Sequence, residues 1–248
     1  MSKFDRLADL YEATIDWSRR LENERAFYRW LIDRVGATSL LDVACGTGHH
    51  AAMFAQWGLR VEGADLAPAM LARARQLHGE ANSLRWTQRR FDQTVDLPGS
   101  FDLAICVGNS IALAEDLQTA ARAVAQMLAA VRGGGAVVVQ ALNLWRLPNG
   151  PCRWQQCVPL ESDQGAKLIL KGVHRCGGRG YVELVAISPQ GDPPLTGESV
   201  PFLGLRAPEL AGFARSAGAN CIESYGNYQR QKYQRSQSED LIMVAIKS

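Results

Sequence analysis

Apolar positions recur with two different periods along this chain. Over residues 3–35, Leu7, Leu10, Tyr11, Ile15, Leu21, Phe27, Trp30, Leu31 and Val35 fall at helical spacing, and Gly36 closes the run. Short apolar runs then alternate with helical ones. Residues 40–44, 59–64, 84–89, 101–107 and 136–140 read as strands, the second ending at Asp65. Residues 49–57, 68–78 and 117–131 read as helices, with Gly58 stopping the first and Pro68 opening the second. The strand at 136–140 is almost continuously β-branched, which suits a sheet covered on both faces. Strands alternating with helices predict βαβ units and a parallel sheet.

From Pro148 to about Pro201 helical periodicity disappears. Two strand-like runs, 167–175 and 181–188, are joined by Gly177-Gly178-Arg179-Gly180 and predict an antiparallel hairpin or small sheet. A helix at 208–217 and strands at 221–228 and 240–246 complete the chain. The expected fold is α/β: a doubly wound, Rossmann-like sheet with an antiparallel β insert after its fifth strand. Its parts are an N-terminal helical cap (1–36), a ligand-binding domain (37–147 and 206–248) and a β-rich insert acting as a lid (148–205).

Composition narrows the class. The chain has 248 residues, 47% hydrophobic and 21% charged, with a net charge of +2. That is an ordinary globular balance, without the basic excess of a nucleic-acid binder. No apolar run approaches the ~20 residues that span a bilayer, and the start lacks a signal-peptide core. Cytoplasmic localisation is the expectation. Cys45, Cys106, Cys152, Cys157, Cys176 and Cys221 are scattered without a C-x-x-C pair, so no metal site is expected.

The densest chemistry lies in Leu41-Asp42-Val43-Ala44-Cys45-Gly46-Thr47-Gly48. An apolar strand runs into two glycines and then a helix, a turn where backbone can approach a ligand. His49-His50-Ala51 follows, so the third glycine of a dinucleotide fingerprint is missing, and no Walker lysine is present. Asp42 would repel a pyrophosphate and suits a cationic or amino-acid head group. The stretch resembles motif I of the class I S-adenosylmethionine (SAM)-dependent methyltransferases. Phe101-Asp-Leu-Ala-Ile-Cys-Val-Gly-Asn-Ser-Ile-Ala, Val131-Arg-Gly-Gly-Gly and, loosely, Tyr225-Gly-Asn-Tyr are similar to stretches of the glycine and glycine/sarcosine N-methyltransferases.

Ligands of open α/β sheets sit beyond the carboxyl ends of the strands. Asp42, Ala44, Gly46 and Gly48 end the first strand. The resemblance implies that Asp42 meets the methionine amino group through water while the glycines give clearance. Asp65 either takes the ribose hydroxyls or caps the helix at Pro68. Leu66 and Met70 are expected near the adenine. Asp92 either accepts from its amino group or is a turn residue. Cys106 and Val107 end the fourth strand, which in the family faces the methyl donor and the acceptor. Arg20 is spaced to match the family arginine that pairs with the SAM carboxylate.

Asn109, Tyr11 and Asn143 are the expected positioning residues, and His174 is the one histidine kept as a candidate base. Where the family carries R-N-Y-D, this chain reads Ala141-Leu142-Asn143-Leu144-Trp145, and the family histidine after G-N-S is absent. A more apolar rim of Leu142, Leu144 and Trp145 points to a larger or less charged acceptor. Arg175 and Arg206 are either carboxylate clamps or surface charges. The resemblance thus implies methyl transfer from SAM to a small molecule, foremost an amine or amino-acid nitrogen, with S-adenosylhomocysteine (SAH) as product. O- or C-methylation, and SAM binding without turnover, are the alternatives. Nucleic acid and membrane are not expected partners; a homo-oligomer is compatible with the family.

Overall fold

The structure is a computed structural model describing residues 15–96, 98–162, 165–188 and 195–248. Its elements are α1 (Trp17–Val35), β1 (Ser39–Val43), α2 (His49–Gln56), β2 (Arg60–Asp65), α3 (Pro68–His78), β3 (Leu84–Gln88), β4 (Phe101–Cys106), α4 (Leu117–Ala130) and β5 (Val131–Leu142). They continue with β6 (Arg153–Ser162), β7 (Gly165–Cys176), β8 (Arg179–Ile187), β9 (Leu195–Leu203), α5 (Ala207–Ser216), β10 (Ala219–Tyr225) and β11 (Asp240–Lys247). Seven strands form one sheet in the order β10-β11-β5-β4-β1-β2-β3. β11 runs antiparallel to β5 and to β10, and the other pairs are parallel. This is the expected doubly wound sheet.

Period-two alternation divides the core between two layers. Leu40, Leu103, Ile105 and Val138 face α1, α2 and α3, where Phe27, Tyr28, Leu31, Phe54 and Leu71 pack. Leu41, Ala104, Val137 and Val139 face the opposite layer, against Val124 and Met127 of α4 and Leu210 of α5. Asp102 pins the N-terminal ends of the central strands. Its Oδ2 accepts from the backbone N–H and hydroxyl of both Thr38 and Ser39 at 2.8–2.9 Å, and its Oδ1 accepts from Arg132 at 2.6 Å. Burial pushes the Asp102 carboxyl up, but these donors outweigh it and hold it well below the usual carboxylate range.

The periodic run at 3–35 is not one helix. Asp16 caps α1, accepting from Arg19 N at 3.0 Å, so the helix starts at Trp17. The earlier part of the run lies outside the described residues.

The expected hairpin is a four-stranded antiparallel sheet, β6-β7-β8-β9. Its inner strands are the two runs read from sequence. Pro159 interrupts β6, and Gly197 and Pro201 interrupt β9. Both are edge strands, where a missing N–H is tolerated. The chain leaves for this sheet and returns from it beside one side chain. Trp145 donates its indole N–H to Gly204 O and Leu205 O at 3.2 and 3.1 Å.

Candidate active site

A cavity of about 980 Å³ lies at the carboxyl ends of β1, β2 and β4, beneath the second sheet. The turn after β1 forms its floor. Gly46 has φ +57, and a Cβ there would meet nothing within 4 Å, so its backbone is open. Gly46 N donates to Asp65 Oδ2 at 2.8 Å, and Ala67 N donates to Oδ1 at 2.9 Å. Asp65 thereby joins the β1 turn to the end of β2, and burial raises its pKa against those two bonds. Asp42 is 2% exposed, and its Oδ2 has no hydrogen-bond partner. Burial first, and then the neighbouring Asp65, push the Asp42 carboxyl up to about 8.

The next wall is Val107 to Ser110. Asn109 has φ +67; its Oδ1 accepts from Leu142 N at 2.9 Å and its backbone N–H donates to Gln140 Oε1. Gln140 donates in turn to Asp240 Oδ1 at 2.7 Å. Burial raises the Asp240 carboxyl to about 6. α1 closes another side with Trp17, Arg20 and Glu24. Glu24 accepts from Arg20 Nε at 2.9 Å and lies 2.7 Å from His50 Nε2, while Trp17 stacks on His49. Burial pushes the Glu24 carboxyl up, but His50 and Arg20 outweigh it and lower its pKa. The roof carries Gln156 of β6, Lys171 and Val173 of β7, Val182 and Leu184 of β8 and Val200 of β9.

Arg20, Asp42, Ala44, Gly46, Asp65, Leu66, Met70, Val107 and Asn109 come together around this cavity. Tyr11 lies outside the described residues. Gly48 does not line the cavity. A Cβ there would stand 2.4 Å from the Trp86 ring, so this glycine serves strand–helix packing. Cys106 is fully buried in the core. Asp92 is engaged by Arg90 at 3.0 Å and Arg122 at 3.5 Å. Asn143 is fully buried, and all its polar atoms are committed. Its amide donates to Arg235 O and Ser238 O, and its Oδ1 accepts from Trp145 N and Tyr233 Oη. It clamps the loop before β11 and has no capacity left for an acceptor. His174 neighbours Val173 but points to the other face of β7, 3.3 Å from Glu183, outside the cavity. Of the apolar rim, Leu142 reaches the cavity, while Leu144 is core and Trp145 is the clasp. Arg175 and Arg206 lie over the Trp145 ring at 5.6 and 4.2 Å, away from the cavity.

Glu24, His50, Gln140, Lys171 and Asp240 were not singled out from sequence as site residues. Lys171 carried a usable signal: a charge inside the apolar strand run Leu168-Ile169-Leu170-Lys171-Gly172-Val173.

Residues 40–135 match the family described as "Methyltransferase domain", and they supply β1 to β4, the glycine turn and Asp65. The chain carries a class I methyltransferase domain. Its relatives include the glycine/sarcosine N-methyltransferase of Parasynechococcus marenigrum (strain WH8102), 37% identical over 145 residues. That match covers 57% of this chain and 51% of the relative. The chain spans about half the length of the curated relatives it matches. Among solved structures, the sugar N-methyltransferase KedS8 of Streptoalloteichus sp ATCC 53650 superposes with a TM-score of 0.75 at 24% identity, covering 96% of this chain and 91% of that one. SAM-bound CalS10, an amino pentose methyltransferase from Micromonospora echinaspora, gives 0.72 at 23% identity, over 100% and 99%. These two likenesses establish the fold.

The cavity of the methyltransferase domain fits SAM. The partnerless Asp42 Oδ2 needs a cation or a donor, which an ammonium group provides. Gly46 leaves room for close approach. Asp65 keeps carboxylate lone pairs beyond its two backbone bonds, and Leu66 (51% exposed) and Met70 beside it offer an apolar flank to a purine.

Proposed function

We propose that this chain is a SAM-dependent methyltransferase acting on a nitrogen of a small amine or amino acid. The observation that carries the reading is the partnerless buried Asp42 at the floor of a roofed cavity that reaches on to Asn109. SAM, when bound, supplies a methyl group on a sulfonium, ready for in-line displacement. The chain's own residues do the rest. Asp42, Asp65 and Arg20 hold the two ends of the cofactor. Asn109, held by Leu142 N and Gln140, presents an amide whose NH₂ has no protein partner among the described residues. It positions the acceptor. The insert 148–205 acts as lid, and its valines exclude water. Fixing two reactants in line contributes on the order of 7–11 kcal/mol, so an uncharged amine needs no dedicated base. The glycine/sarcosine relatives and the sugar N-methyltransferase neighbours, by their names, both act on nitrogen. The acceptor is taken as a small molecule, not nucleic acid, and the working compartment as the cytoplasm.

The test is SAH release measured against amino acids, amino sugars, simple amines and phenols. Turnover with amines is expected; turnover confined to hydroxyl acceptors would exclude the nitrogen reading. In the same assay Asp65→Ala is expected to weaken SAM binding by about 1.5–3 kcal/mol, the worth of a charge-assisted hydrogen bond.

A further inference from the structure

The roof has one charged row. Lys171 and Val173 share a face of β7, being two residues apart. In the ladder Lys171 stands opposite Gln156 on one side and Leu184 on the other. Val173 stands opposite Val182, and Val182 opposite Val200. All of these residues line the cavity. Lys171 thus brings an ammonium into an otherwise apolar and amide surface. Burial lowers its pKa, and the second contribution, from the cation Arg20, acts in the same direction.

The acids lining the cavity do not balance this charge: Asp16 caps α1 by accepting from Arg19 N, Glu115 acts on Arg90, and neither acts on Lys171. Glu24 is committed to Arg20 and His50, and Asp65 to the backbone of Gly46 and Ala67. Asp240 is held by Gln140, and the need of Asp42 is met by the cofactor's own ammonium. Among the described residues Lys171 has no ion-pair partner. Lys171 is half-buried in the cavity wall, and a charge drawn out of bulk water is paired in a working state. The missing counter-ion therefore belongs to a ligand.

We infer that Lys171 anchors a carboxylate of the acceptor against the roof, separate from the cofactor carboxylate beside Arg20. This rests on the proposed nitrogen methylation and deepens it. It selects amino acids and other amino-carboxylates over neutral amino sugars. The carboxylate would be held from above, leaving the amine to reach the floor where Asn109 stands.

The experiment needs no turnover. The SAH-saturated protein is titrated calorimetrically with acetate and phenylacetate, and with acetamide and phenylacetamide, for wild type, Lys171→Met and Lys171→Arg. Wild type is expected to prefer a carboxylate over its amide by about tenfold or more, in line with one charge-assisted contact. Lys171→Met should abolish that preference, Lys171→Arg should keep it, and SAH affinity should be the same in all three. Equal binding of acid and amide, or failure of both carboxylates to bind wild type, overturns the assignment. So does a loss of SAH affinity in Lys171→Met, since that would give the lysine to the cofactor carboxylate. Should Lys171→Met fail to fold, the Lys171→Arg and wild-type arms still decide through the acid–amide ratio. A chain that shows the preference yet methylates no amine keeps this inference and loses the nitrogen-transfer reading. One that methylates amines without the preference does the reverse.

Discussion

SAM binding by this domain is expected to release a proton at neutral pH. Asp42 is buried beside Asp65, and its carboxyl is pushed up to about 8. At pH 7 roughly nine in ten free molecules therefore carry that proton, by the ordinary titration relation. The ammonium of SAM favours the ionised carboxylate, so binding must first remove the proton. That step costs about 1.4 kcal/mol at pH 7 and about twice that at pH 6, at 1.36 kcal/mol for each pH interval below the pKa. The sign follows directly. As pH rises from 6 to 8 the penalty shrinks and affinity grows, by about tenfold for each pH unit at first. Above pH 8 the gain stops, because the cofactor's own α-amino group, with an ordinary value near 7.7–8.0, begins to lose its charge. Calorimetry at pH 7 in buffers of different ionisation enthalpy should show nearly one proton released for each SAM bound. Asp42→Asn should remove the release, flatten the profile, and leave SAM about tenfold weaker than wild type at pH 8. A wild-type affinity independent of pH between 6 and 8, with no proton released, would refute the assignment of Asp42 to the ammonium.

Two glycines that look alike in sequence should behave differently. Gly48→Ala puts a methyl 2.4 Å from the Trp86 ring at φ +84, adding overpacking of about 1–3 kcal/mol to left-handed strain of about 1–2 kcal/mol, and should lower Tm clearly. Gly46→Ala meets open space and should lower Tm less while abolishing most SAM affinity, so equal Tm losses would contradict the packing role of Gly48. Asp102→Ala leaves the amides of Thr38 and Ser39 and the Arg132 guanidinium without their acceptor, and should remove about 2–3 kcal/mol in urea unfolding at pH 7. Because the folded pKa of Asp102 is depressed, its contribution is present above the ordinary carboxylate range and fades as pH falls toward the folded value. The difference between variant and wild type should therefore shrink below about pH 4.

The centre of the main sheet was legible because β1, β4, β5 and β11 are buried over most of their length and read as largely apolar runs. The outer strands of the insert were not, since Pro159 and Pro201 are tolerable only at an edge and sequence does not say which strand is an edge. At the site, residues fixed by strand ends were readable: Asp42, Gly46, Asp65 and Asn109 all lie where a parallel strand stops. Residues whose role depends on facing were not. His174 and Val173 are adjacent yet on opposite sides of β7. Asn143 sits at a strand end too, but the returning loop before β11 consumes its amide, and that loop approaches from over 90 positions later. Lys171 stands out in sequence as a charge in an apolar run, but its place at the site is fixed only once β7 is seen to roof the cavity.

The Trp145 clasp has a consequence for how such a protein can change. The excursion through β6 to β9 departs and returns at one indole, whose N–H grips both Gly204 and Leu205. The roof strands, proposed to choose the acceptor from above, hang from that mount, while Arg20, Asp42 and Asp65, proposed to grip the cofactor, all precede it in the chain on α1, β1 and β2. The roof is in this sense an interchangeable cassette. A lineage could trade one set of roof strands for another, or an engineer could graft them between Trp145 and Gly204, and acquire a new substrate preference over an untouched cofactor floor.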